Sequence, residues 1–256
     1  MTSAQTMLKS ARALALLLAM LAVGACAPSD ELTAPGVLTS PYQTVRGEPL
    51  WAVVPLRNES GTSTADTLVI SDEIVAAIQQ VRGIRCLPLN RTLETLRATD
   101  ADGAITSPAE ALALARALGA DGVIVGSITA YDPYDPPVLG LSLALYTLDT
   151  PASRATIDPR ALTMAYSDAD FGPASNFGTE PGPSTSIHLD GRNHDVQMRL
   201  RNFADGRVEA HSAIGWRMYL ASMDLYTRFA AHRAVDELLD HEWLRLARQR
   251  GRADQG

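Results

Sequence analysis

Lysine is nearly missing from this chain: Lys9 is the only one among 256 residues, so every later cation is arginine. A glycine-rich phosphate loop ending in Lys-Ser or Lys-Thr is thereby excluded from the body of the protein. Cysteine is almost as scarce, with Cys26 and Cys86 alone. Two thiols cannot staple a small disulfide-rich domain, so stability must come from an apolar core, for which 46% hydrophobic residues is ordinary. Basic charge is short as well. From Cys26 onward, 231 residues carry 20 basic and 29 acidic side chains, which argues against nucleic acid as a partner, because counterion release needs clustered cations. The same acidity argues against electrostatic docking on anionic lipid, so any hold on a membrane would have to come from attached lipid. The longest unbroken apolar run, residues 13–23, has 11 members and is too short to cross a bilayer as a helix.

That run is still informative. Lys9 and Arg12 are the only charges before Asp30, and a basic start followed by a short apolar stretch is the layout of a secretory signal, here residues 1–25. Val23-Gly24-Ala25-Cys26 follows, and it resembles the lipobox of bacterial lipoproteins: a branched apolar residue, two small residues, then cysteine. In that family the peptide is cut before the cysteine, whose sulfur carries a diacylglycerol, with palmitate among the acyl chains. An ordinary signal peptide with a chance cysteine is the competing reading; the position of Cys26 directly after the apolar run favours the lipobox. More than one acyl chain is what stable anchoring needs. Ala27 and Pro28, with no aspartate directly after the cysteine, point to the outer membrane, facing the periplasm of a bacterial cell envelope. Residues 26–49, Pro-, Ser-, Thr- and Gly-rich without apolar period, read as a lipidated, flexible tether with a span of roughly 25 Å and an extended limit of about 75 Å.

From Trp51 the pattern changes. Trp51-Ala52-Val53-Val54-Pro55-Leu56 is a short apolar run and predicts a buried strand, with a polar loop over residues 57–63 after it. Leu68, Ile70, Ile74, Val75, Ile78 and Val81 recur at three-to-four spacing and predict an amphipathic helix from about Ala65 to Gly83. Residues 84–87 form a second short strand. Cys86 within it reads as a small core hydrophobe, since no motif frames it and the nearest histidine is His188. Asn90 is placed to cap a short helix through Leu93 and Leu96. Ser107-Pro108-Ala109-Glu110 is a capping box with proline at the first helical position, starting a helix through Leu112, Leu114, Ala115 and Leu118 that stops at Gly119. Residues 119–131 are the centre of the chain, a helix stop and tight entry into a strand buried on both faces through Val123, Ile124, Val125 and Ile128. After a turn over residues 132–137, leucines at 139, 141, 143 and 145 alternate with Gly140, Ser142, Ala144 and Tyr146, a strand with one core face and one shallow face.

Residues 150–193 are punctuated by proline and glycine, carry little pattern beyond a brief stretch at residues 160–166, and read as a flexible insertion able to cover a sheet edge. Beyond it, Val196, Leu200 and Phe203 mark a short helix. Residues 214–246 predict a long one through Trp216, Leu220, Met223, Phe229, Val235, Leu238 and Leu239. Arg245, Arg248, Arg250 and Arg252 crowd its end, where cations complement the helix dipole; a lipid-phosphate or cell-wall patch is the alternative. The fold class is α/β (α+β), a small mixed sheet of about four strands with packing helices over residues 50–149, and a helical carboxyl-terminal segment, residues 194–249, packed on it.

Residues 51–149 resemble the amino-terminal α/β domain shared by envelope lipoproteins of the curli-secretion (CsgG), TolB amino-terminal and penicillin-binding-protein activator (LpoB) group. The matching pieces are Val53-Val54-Pro55 with Asn58 and Ser60-Gly61, Gly83-Ile84 with Arg91 and Leu93, and residues 117–122 running into Val125-Gly126-Ser127, with the strand that ends at Asp149 in the place of the group's next strand. The Thr-Gly turn usual after that strand is replaced by Pro151. The resemblance implies the fold and the envelope setting. A subunit of a CsgG-like secretion assembly is an alternative that it raises, but residues 150–193 lack the long alternation of a membrane-inserted strand.

Chemistry is thin. Gly126-Ser127 lacks the flanks of a nucleophile elbow, and the five histidines include no pair at i, i+4. An envelope hydrolase or metal-dependent enzyme would have to use His188, Asp190 and His194, for which a solvated loop is the plainer reading. His232, Asp236 and Asp240 share a helical face, as do Glu237 and His241, and a charged solvent face accounts for both. No catalytic residue, metal or cofactor is assigned. Open α/β sheets tend to bind at the carboxyl ends of their strands, so Asn58, Glu59, Ser60, Tyr131, Asp132, Tyr134 and Asp135 are the candidate partner-binding residues, with turn chemistry as the competing reading. The partners implied are the membrane, through the lipid on Cys26, and another envelope protein or a second copy of the chain. Changing Cys26 to serine is expected to abolish palmitate labelling and move the protein from the membrane to the soluble fraction. A Cys26→Ser protein that still sediments with membranes after a high-salt wash, which strips electrostatic contacts, would overturn the anchor.

Overall fold

The computed structural model describes residues 34–42, 47–98, 105, 107–148, 182–209 and 212–253; the expected signal, Cys26, and residues 150–181 of the expected insertion lie outside them. The chain divides into two compact units, and the second, Pro35–Gly256, holds every element below.

Three strands run in one direction: β1 (Leu50–Val53), flanked by β3 (Arg85–Cys86) and β4 (Gly122–Asp132). β2 (Arg57–Asn58) lies parallel to the later half of β4, and β5 (Val138–Thr147) and β6 (Ser184–Asp190) extend the sheet antiparallel. The order is β3-β1-β4-β5-β6, with β2 off this path. The class is the mixed α/β one, with a six-stranded sheet where about four strands were expected. Both additions are corrections with visible causes. Arg57 and Asn58, expected in a polar loop, pair with Ser127 and Ile128 because Pro55 ends β1 and the chain re-enters beside β4. Residues 184–190, expected within a patternless insertion, bury Thr185, Ile187 and Leu189 and expose Ser184, Ser186 and His188, a period of two over seven residues.

Residues 119–122 do what their sequence demands. Gly119 ends helix α3 (Pro108–Leu118) in the left-handed conformation at φ 64°, and Ser107 caps its start by accepting from Glu110 N. Asp121 then clamps three strands. Its Oδ2 accepts from Leu50 N at 2.8 Å, its N–H donates to Leu50 O, and its C=O accepts from Leu148 N.

The sheet has two unequal faces. On the first, Trp51, Val53, Ile124, Ile128, the four β5 leucines, Ile187 and Leu189 pack beneath α1 (Thr67–Gln79), α4 (His194–Ala204) and the last helix, α6 (Met223–Ala253). On the second, Ala52, Val54 and Val123 are buried by α3 and α2 (Leu89–Ala98) through Ala111, Leu114, Ala115 and Leu96, with Val125 and Tyr146 partly covered at the margin. The central strand is therefore not buried on both faces along its length. Val125 and Ser127 are half-buried and Thr129 is exposed, since α3 reaches only the first residues of β4.

A register shift between Ile128 and Ala130 turns Tyr131 onto the first face, against the core. Gly140 permits it, because a Cβ there would lie 3.0 Å from Ala130 N. Gly126 allows close packing as expected: a Cβ would meet Leu143 Cδ2 at 2.7 Å and Leu56 Cδ2 at 2.9 Å.

The helices depart from expectation at three points. α1 begins after Asp66, whose carboxylate accepts from Leu68 N and Val69 N, and Leu68 is exposed while Ala77 takes a place in the core. Asn90 lies within α2 instead of capping it. The predicted long helix is broken at Ser222 (φ −131°, ψ 117°), which separates a 3-10 turn (Gly215–Arg217) and α5 (Met218–Ala221) from α6. Ser222 O accepts from Tyr226 N and its Oγ from Leu225 N, so a serine ahead of Asp224 opens α6.

The expected tether is also shorter than drawn. Residues 35–42 form a strap bound to the domain: Arg82 N donates to Leu38 O and Ser40 N to Arg82 O, both at 2.9 Å, and Arg207 Nη2 donates to Gly36 O. Replacing Gly126 by valine is expected to lower stability by about 1–3 kcal/mol through overpacking against the Ser142 carbonyl, Leu143 and Leu56. The urea midpoint of the purified variant measures it.

Candidate functional site

The residues expected to bind a partner do gather at one end of the sheet, where β2 and β4 finish. Arg57 and Asn58 are paired to β4, and Glu59 N donates to Ile128 O. What they do there differs from residue to residue. Asn58 folds its own loop: its Nδ2 donates to Thr62 O at 2.6 Å, and its Oδ1 accepts from Ser60 N and Ser60 Oγ. Glu59 pairs with Arg57 at 2.8 Å across an exposed surface. Asp132 Oδ1 accepts from Tyr134 N, a turn contact, and Asp135 precedes a cis proline. Turn chemistry thus accounts for Asn58, Ser60 and Asp132. Tyr134 stands apart with 78% of its surface open, and Leu68 and Val69, in the first turn of α1, are about half open.

Tyr131, turned inward by the bulge, has its phenol pushed above the usual range by burial and by the Asp224 and Asp66 carboxylates. These carboxylates belong to the starts of α6 and α1, so both helices begin at this end of the sheet. They run side by side from there, with Arg228 Nε donating to Glu73 Oε1. The end is therefore acidic, with an exposed tyrosine above a tyrosine held against the core. On the open sheet face beside it, the Arg57–Glu59 pair and Tyr146 wall a shallow depression of about 170 Å³ floored by Gly126, Ser127 and Ser142.

At the other end of α6 the structure shows a group that sequence reading passed over. Glu242 is 0% exposed. It accepts from Tyr42 Oη at 2.8 Å, and Arg245 Nε and Nη2 each donate to it at 2.6 Å. Burial and the Glu242 carboxylate push the Tyr42 phenol well above its usual range, and the hydrogen bond to Glu242 raises the Arg245 guanidinium. Tyr42 also sets its ring edge-on to Trp51 with centroids 6.0 Å apart. Arg245, expected to serve the helix dipole, is thus the half-buried partner of a buried carboxylate. A signal was present: Val235, Leu238, Leu239 and Glu242 fall on one helical face, which makes the glutamate a core position.

His232 is a second correction. It was expected on a charged solvent face, but it packs against Phe203 with ring centroids 4.9 Å apart, and its Nδ1 is buried. Burial, then Arg207 and Arg233, push its pKa down to about 4. Arg207 stacks over the same Phe203 ring at 4.2 Å, and Arg233 is paired with Asp236. Burial pushes the Cys86 thiol up to about 12, which suits the small hydrophobe expected there. His188 is exposed on β6, His194 opens α4, and Asp190 accepts from Arg192 N. Among the described residues no three His, Cys, Asp or Glu side chains converge on a metal-binding geometry.

No protein-family model matches the chain, and no curated protein does. Among solved structures it is similar to the C-terminal domain of LpoB from Salmonella enterica, at 13% identity over 63% of this chain and 91% of that one, with a TM-score of 0.37. It is also similar to the lipoprotein GNA1162 from Neisseria meningitidis (18% identity, 59% and 91% covered, TM-score 0.36). A third is the PelC dodecamer from Paraburkholderia phytofirmans (12% identity, 81% and 94% covered, TM-score 0.34). The overlaps are partial at these TM-scores, and the functional reading rests on the residues of this chain.

Two outcomes follow from the buried groups. Tyr42→Phe leaves a lone pair of a buried carboxylate without its donor and is expected to cost about 1–3 kcal/mol, read as a lower urea midpoint. His232 is neutral in the fold and has its pKa depressed, so the unfolded chain takes up a proton first as the pH falls. Stability is expected to decline between about pH 6.5 and pH 4. A His232→Gln variant with the same decline would show that another group is responsible.

Proposed function

We propose that this protein is a membrane-anchored envelope lipoprotein, held by lipid on Cys26, that acts as a noncatalytic binding or assembly module for another envelope protein. The observation that carries this reading is the strap. Residues 35–42 are hydrogen-bonded to Arg82, Arg207 and Glu242. Only eight residues, 27–34, then separate the lipobox cysteine from the bound strap. Their extended limit is roughly 30 Å, against about 75 Å for the longer tether expected from composition. A chain that fixes its lead so close to the attachment residue is built to work near a surface.

Tyr134, Leu68 and Val69 are the exposed apolar side chains at the carboxyl ends of the strands, and exposed tyrosine is a common interface anchor. Outer-membrane placement rests on Ala27 and Pro28 after the cysteine. The test is photo-crosslinking in the native cell from a benzoyl-phenylalanine at position 134, with position 116 on α3 as control. A discrete crosslinked envelope protein at position 134, absent at position 116 and lost from a Leu68→Ser, Val69→Ser background, is the expected result. No crosslink at either position, from a protein that is monomeric in detergent, would sink the binding-module reading.

A further inference from the structure

We propose that the exposed last turns of α6, residues 243–251, seat the domain on an anionic phospholipid surface. In the turns after Glu242 the helix shows solvent a face that its dipole does not explain. Trp243 is 43% and Leu244 54% exposed, among the few large apolar side chains left open. At 100° per residue, Trp243, Ala247 and Leu244 fall within an arc of about 100°. Arg250 lies just outside one border of that arc and Arg248 just outside the other. Both arginines are exposed, and neither makes an ion pair with a described residue, whereas Arg245, on the inner side, is committed to Glu242. Asp240, one turn earlier, closes the stripe toward the body of the domain. An apolar strip with a tryptophan, bordered by exposed arginines, is the arrangement that lies in a bilayer interface.

A lipid surface fits this patch better than a protein for two reasons. Residues 243–251 carry arginines and no acidic side chain, with Asp240 at their inner margin, on a chain whose mature part is net acidic, so these turns complement an anionic leaflet where the chain as a whole does not, and oppose the charge of the domain's other end. It also stands beside the strap: Glu242, adjacent to Trp243, holds Tyr42. The inference rests on the lipid-anchor reading for the nearness of a bilayer, and it adds an orientation. Trp243 lies 20 residues beyond Met223, so the strand ends with Tyr134 stand about 30 Å farther along α6, facing away from the membrane.

The test uses the unlipidated chain, residues 26–256 with Cys26→Ser, so its outcome is independent of the anchor, whose failure would appear separately as absence of palmitate labelling. The protein is sedimented with vesicles of phosphatidylglycerol and phosphatidylcholine, and with vesicles of phosphatidylcholine alone. Expected are at least tenfold tighter binding to the anionic vesicles, loss in 0.5 M salt, and a blue shift of tryptophan emission that Trp243→Phe removes. Arg248→Gln with Arg250→Gln, and Trp243→Ser with Leu244→Ser, should each weaken binding at least fivefold. These positions are exposed, and an unchanged urea midpoint checks that the variants fold. No binding to anionic vesicles, or binding that both double variants retain, overturns the proposal.

Discussion

A carboxylate with no exposed surface sets the terms of this structure. Glu242 cannot stay charged in the core without donors, and the donors it has come from opposite directions along the chain. Arg245 is local, one turn on. Tyr42 is 200 residues away, in a segment whose composition alone announces a linker. Removing one partner of a buried charge is far more disruptive than never having had the pair, so this contact fixes where the strap runs. Trp51 at the start of β1 packs on the same tyrosine, which ties the strap, the first strand and the end of the last helix into one assembly.

The sheet is organised by a similar inequality between its faces. Leucine at every second position of β5 calls for a thick cover, which α1, α4 and α6 provide, and the small residues between them leave the other face with little to bury. That open face is why Ser127 and Ser142 can sit opposite one another across β4 and β5 at the middle of the sheet. It also sets what the bulge achieves. With strict alternation Tyr131 would stand on the open face beside Thr129; the extra residue puts it over the core, next to the starts of two helices.

Most of the local structure could be read from the chain, because its signals were strong ones. Ser107, Pro108 and Gly119 bracket α3 by hydrogen bonding and backbone geometry that few other residues supply, and the β5 alternation admits one pairing of faces. β6 was obscured by its small residues, since Ser184 and Ser186 look like loop composition until Ile187 and Leu189 are counted with Thr185. Ser222 was obscured for the opposite reason, as apolar periodicity continues across a break that only a cap marks. The candidate site was legible as a place and not as chemistry: strand ends are where loops collect, but whether Asn58 serves a ligand or its own turn depends on where Thr62 O lies. Tyr42 and Glu242 could not be paired from sequence, because nothing local distinguishes a contact made across 200 residues.

His241 gives β6 a property that its pairing alone would not. β6 ends the sheet among the described strands, and Leu145 N donates to Pro183 O, which turns the backbone groups of Ser184 outward. His241 Nδ1 lies 2.7 Å from Ser184 O, so a side chain from α6 already occupies the first outward acceptor. An unprotected edge strand is a template on which other chains polymerise, and masking it is a common defence. The helix that closes the core on one side therefore also shortens the free rim of the sheet, leaving an intruding strand only the stretch beyond Ser184 on which to gain a register.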